Sequence, residues 1–200
     1  MKIVRPSSEN EMISEFLKAE YASERFSQKV RTVLSEGGFS SEIILSPDLG
    51  NDLQNALRKN ILKRFRGYGE NREMFERFPA VTAYYSCLFS KEDLPDIRYI
   101  DYDYWNELSN GTHSPLIAAE TIRSGKQIFG IGNEGFLTAA AYVKEHGFFP
   151  KMFFLTSDLK RFVIVEGHLR MTAYALESTY FNDIEILVGK CEETALKKWM

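Results

Sequence analysis

The chain has 200 residues, 44% of them hydrophobic and 14% aromatic, with a formal net charge of -3. Those values suit a packed core and exclude a disordered chain. They also exclude a generally basic polyanion binder, while leaving room for a local basic patch. Two cysteines, Cys87 and Cys191, are far apart and form no metal-ligand pattern, which reads as two reduced thiols. The N-terminal segment lacks the apolar core of a signal peptide. No stretch is long and apolar enough to span a bilayer. The expectation is a cytoplasmic protein with no membrane partner.

In chain order, residues 8–21 read as a helix with Met12, Phe16 and Leu17 at partial helical spacing. A second helix runs over residues 28–36 and stops at Gly37-Gly38. Ile43-Ile44-Leu45 reads as a short strand. Residues 51–65 predict a helix, because Leu53, Leu57, Ile61 and Phe65 recur every four residues. Its basic run, Arg58, Lys59, Lys63, Arg64 and Arg66, suits nucleic acid or an acidic substrate, but reads better as a solvated helix face.

Residues 81–89, rich in aromatic and β-branched side chains, predict a strand. A turn follows at 90–95, then a short extended piece at 98–100 and a brief helix at 102–108. In Asp101-Tyr102-Asp103-Tyr104-Trp105 the acids suit a metal and Trp105 suits a stacked base. The cluster reads more simply as a helix start with aromatics entering the core. His113 has no triad partners at recognisable spacing. Pro115 opens a helix to Arg123, and residues 136–146 form another, whose end His146 caps beside Gly147.

Gly130, Gly132 and Gly135 spell G-x-G-x-x-G before that helix, with Asp158 near the acidic position of a dinucleotide fingerprint. The preceding residues 127–129 are too few and too polar for a buried parallel strand. The next two strands, 152–156 and 162–165, are joined by a short turn and are therefore antiparallel. Gly130 and Gly132 thus read as loop formers. Both strands are apolar on successive residues, so both of their faces are covered.

Glu166-Gly167-His168-Leu169-Arg170 then forms a polar turn that opens a helix over about 169–178. A strand at 184–188 and a terminal amphipathic helix from Glu192 complete the chain. The helix mouth offers unpaired backbone N–H groups and the positive end of the helix dipole. Arg170 in the first turn opposes that dipole unless an anion lies between them. Leu169, Thr172, Ala173 and Leu176 share one face, which leaves Arg170 free to reach back to the mouth. Its fork suits phosphate oxygens. His168 adds a ring donor, and Gly167 lets a ligand approach the backbone. Glu166 would serve as a magnesium ligand or a general base, or would only favour the mouth and pair with Arg170. No metal site of protein ligands is expected.

At Glu166-Gly167-His168-Leu169-Arg170-Met171-Thr172-Ala173 the sequence resembles the ParB/sulfiredoxin-like (ParB-like nuclease domain) superfamily, over roughly the last 50 to 60 residues. The resemblance implies an α+β fold, a small mixed sheet with helices at the C-terminal end. Residues 79–200 would form that core and residues 1–78 a helical N-terminal extension. It also implies that Gly167, His168 and Arg170 contact the phosphate of a nucleotide or phosphorylated small molecule, such as a nucleoside triphosphate with Mg²⁺. The turn has no cysteine, which argues against sulfiredoxin chemistry. The chain ends about 30 residues past the turn, which argues against a DNA-partition protein. What remains is a stand-alone nucleotide or phosphate binder, with phosphotransferase or nucleotide hydrolase as the activities open to it. The alternatives are a nucleic-acid-associated module, nuclease-like or regulatory, and a non-catalytic interaction domain.

Overall fold

The computed structural model describes residues 1–199 and is a mixed α+β structure. Its contacts divide into two compact units. One holds Ser7–Phe78; the other combines Met1–Pro6 with the chain from Pro79 onward.

The first unit is helical. Helix α1 (Glu9–Ala22) starts where the Ser8 hydroxyl accepts the Glu11 N–H at 3.2 Å, which satisfies one of the orphan donors of a helix start. Helix α2 spans Ser27–Glu36, and α3 is a single turn, Glu42–Leu45. Helix α4 (Asp52–Arg66) is capped by Asn51 and closed by Gly67 at φ +79°, the left-handed geometry that glycine adopts without strain. Helices α1, α2 and α4 pack on one another. The strand expected at residues 43–45 is therefore a helical turn. Three apolar residues cannot establish a period, and the Ile43 carbonyl is taken by Arg58 at 3.1 Å.

Arg58 corrects a second expectation. It is fully buried rather than solvated, with its guanidinium held by the carbonyls of Ile43 and Asp48 and by Asn55. The rest of the basic run is paired within the unit. Lys59 meets Glu9 at 2.9 Å, Lys63 meets Glu70 at 3.1 Å, Arg64 meets Glu36 at 2.6 Å and Arg66 meets Glu20 at 3.4 Å.

The second unit is built on a six-stranded sheet ordered β1-β2-β6-β4-β5-β3. The strands are β1 (Lys2–Pro6), β2 (Val81–Phe89), β3 (Ile97–Arg98), β4 (Phe153–Thr156), β5 (Phe162–Glu166) and β6 (Ile184–Cys191). The sheet is mixed: β4 runs parallel to β6 and antiparallel to β5, while β3 runs parallel to β5. Strand β1 had no sequence signal. All five of its residues are exposed, so no burial pattern marks it, and its ladder comes from β2 through pairs such as Ile3 with Cys87. Strand β4 and the first four residues of β5 are buried throughout.

Helices α5 (Asp103–Leu108), α6 (Pro115–Arg123), α7 (Glu134–His146) and α8 (His168–Leu176) complete the unit, with a final turn α9 (Glu193–Leu196). Both α6 and α7 pack against α8. That packing changes the expected amphipathic reading of α8. Met171 through Leu176 are all buried, whereas Leu169, placed on the apolar face by spacing, is 43% exposed. The two cysteines are free and buried, and burial pushes each thiol up to about 11. Among the described residues no helix is long and apolar enough to cross a membrane.

Candidate functional site

The β5–α8 junction places the four singled-out residues together. Strand β5 ends at Glu166, whose ladder partner is Phe153. Gly167 then takes φ +105° as the N-cap residue of α8, a conformation that L side chains rarely adopt. The space there is also closed: a Cβ on Gly167 would lie 2.5 Å from the Met152 Cγ and 3.0 Å from its Cβ. No side chain caps α8. Its first N–H groups are therefore those that helix geometry leaves unpaired.

Arg170 does not hang free at this mouth, and here the expectation is corrected. Its Nη1 donates to the carbonyls of Pro150 at 2.7 Å and Lys151 at 3.1 Å, and its Nη2 donates to a Glu166 carboxylate oxygen. Only 12% of the Arg170 side chain and 17% of the Glu166 side chain are exposed. The pair thus serves as a staple that fastens the chain before β4 to the junction after β5. A guanidinium carries five N–H groups. Two of them, Nε–H and one on Nη2, have no acceptor among the described residues.

His168 sits in an aromatic cluster. Its ring stacks on Trp105 at 5.1 Å and on Tyr99 at 5.9 Å, and those two rings stack on each other at 4.7 Å. The residue keeps some surface, but its Nε2 is enclosed and has no partner among the described residues. Thr172 donates to the His168 carbonyl at 2.7 Å, so the Tyr99 hydroxyl, 2.6 Å from the Thr172 oxygen, is the donor in that second bond. Burial raises the Tyr99 phenol above its usual range.

Burial also lowers the His168 imidazole to about 3, with the nearby Arg170 charge a smaller cause. The ring is therefore neutral near pH 7 rather than a cation. The sign for stability follows. An unfolded histidine binds a proton below about pH 6.5, whereas the folded one resists until near pH 3. The contribution is thus complete above the unfolded value and is lost as pH falls through that window. Wild-type protein is expected to lose about 1–2 kcal/mol more than His168→Phe between pH 7.5 and pH 5. Urea unfolding at the two pH values measures it; parallel losses would remove His168 as the cause.

The other candidates take structural roles. Tyr104 and Trp105 pack against the core, as expected of a helix start. Among the described residues no group of three or more His, Cys, Asp or Glu is placed to hold a metal. His146 lies in the last turn of α7, stacked on Tyr142 at 4.1 Å, and Gly147 closes the helix at φ +80°. In the glycine motif, Ile128 and Ile131 form a small antiparallel bridge. Phe129 and Gly130 both have positive φ between them, as a two-residue hairpin turn requires. The motif therefore begins at a hairpin tip and runs into the first turn of α7. Antiparallel pairing of β4 with β5 removes the dinucleotide reading as well.

Sequence reasoning missed the Pro150 and Lys151 carbonyls. Backbone acceptors leave no trace in residue identity. It also missed Tyr99 as a neighbour of His168; an isolated tyrosine in a short extended piece gives no sign of what it will face. Comparison with protein-family models, with curated proteins and with solved structures finds no match to this chain.

Proposed function

We propose that the chain is a phosphate-binding protein of the ParB/sulfiredoxin-like type, with the α8 mouth as its anion site. One observation carries this reading. A left-handed glycine opens a helix that no side chain caps, beside a guanidinium with two uncommitted N–H groups. Backbone N–H groups and the dipole favour an anion there. Gly167, His168 and Arg170 would hold the phosphate of a nucleotide or phosphorylated small molecule. Glu166 would hold a proton or, with the phosphate oxygens, Mg²⁺. That assignment makes a phosphotransferase or nucleotide hydrolase the reaction class. The free cysteines support a reducing, cytoplasmic setting.

The test is a thermal-shift series of nucleoside di- and triphosphates with and without Mg²⁺. A ligand at a hundred times its Kd is expected to stabilise the fold by about 2.7 kcal/mol. No shift from any of them would remove the assignment. It would favour a second reading, a non-catalytic interaction domain, for which the bonds that Arg170 already makes are the specific support. A nucleic-acid-associated role has less support, because the basic run of α4 is committed to partners in its own unit.

A further inference from the structure

We propose that Glu166 is a built-in occupant of the anion site: in the empty protein its carboxylate takes the position on the Arg170 guanidinium that a phosphate oxygen takes in the liganded one. This inference rests on the phosphate-binding reading above. The geometry comes from the turn. Glu166 is held at the end of β5 by its ladder with Phe153. The left-handed Gly167 then reverses the chain, so that a residue four positions later faces back onto that strand end. The two side chains are mostly enclosed, so the carboxylate supplies the nearby negative charge that a cation in a first helical turn lacks.

Glu166 meets the charge demand of this mouth but not its hydrogen-bonding demand. Helix α8 has no side-chain cap, and two guanidinium N–H groups remain uncommitted. A phosphate brings more oxygens and more charge than one carboxylate. It would satisfy the same arginine together with the donors that Glu166 leaves over. Two anions cannot share one guanidinium without repulsion, so the ligand enters as Glu166 turns away. Glu166 therefore lowers affinity for every anion and favours polyphosphates, whose extra charge displaces it, over singly charged anions.

The experiment is calorimetric titration of the intact chain with metal-free inorganic pyrophosphate, for wild type, Glu166→Gln and Arg170→Lys. A urea melt of each variant confirms the fold. Glu166→Gln is expected to bind about ten-fold more tightly than wild type. Arg170→Lys, which keeps the charge and loses the fork, is expected to bind more weakly than wild type. Equal or weaker binding by Glu166→Gln, with wild type binding, overturns the occupant role and leaves the phosphate site standing. No binding by either wild type or Glu166→Gln overturns both.

Discussion

Gly167→Ala is expected to destabilise the protein by about 3 kcal/mol. Two costs combine. An L residue in the left-handed region costs about 1–2 kcal/mol, and overpacking a closed site adds about 1–3 kcal/mol. The second cost applies because the new methyl would meet Met152 at its Cγ and Cβ. Those atoms lie close to the backbone, so rotating the end of the side chain does not relieve the clash. Denaturant unfolding of the variant measures the loss. Gly189→Ala is the informative comparison, since its Cβ would meet neighbours no closer than 3.0 Å and its φ lies outside the left-handed region. Equal losses at the two positions would mean that the left-handed turn carries no special cost.

Arg170→Ala is expected to cost about 2–3 kcal/mol and, on the phosphate-binding reading proposed above, to abolish pyrophosphate binding in the same titration. The energy comes from what the deletion leaves behind. Glu166 would stay mostly enclosed without its cation, and the carbonyls of Pro150 and Lys151 would lose their donor. Stranded charges and acceptors cost more than the bonds themselves contribute. The staple geometry thus makes Arg170→Ala a stability variant as well as a site variant. The double variant Glu166→Ala with Arg170→Ala separates the two contributions. It is expected to be less destabilised than the sum of the single variants by about 1–2 kcal/mol. Simple additivity would show that the pair does not couple.

Much of the second unit was legible because its residues carry periodic or punctuating signals. Pro115 marks the start of α6, an apolar run marks β5, and Gly147 marks the end of α7. The strand over residues 81–89 was readable for the same reason, since a stretch rich in aromatic and β-branched side chains favours a strand. Legibility failed where an element borrows its stability from a distant partner. Strand β1 exists because β2 offers an edge, and nothing in its five exposed residues records that. The turn at 42–45 is helical because local carbonyls and Arg58 arrange it, although its composition favours a strand. The buried Arg58 makes the same point at one residue. Its charge suggested a solvated face, and the carbonyl cage that receives it is assembled from segments up to 15 positions away.

By itself the sequence determined the strand–glycine–helix order at residue 167, and with it the gathering of Glu166, His168 and Arg170 at one helix mouth. Local chemistry is enough for that: an apolar run, a residue free to take positive φ and a helix-forming stretch act within a few positions of one another. Only the tertiary structure decided how those side chains are spent. It gave Arg170 to Glu166 and to two carbonyls from the loop before β4, and packed the His168 ring against the stacked pair of Tyr99 and Trp105. A guanidinium or an imidazole bonds to whatever the fold brings within about 3 Å, and chain order does not encode those neighbours.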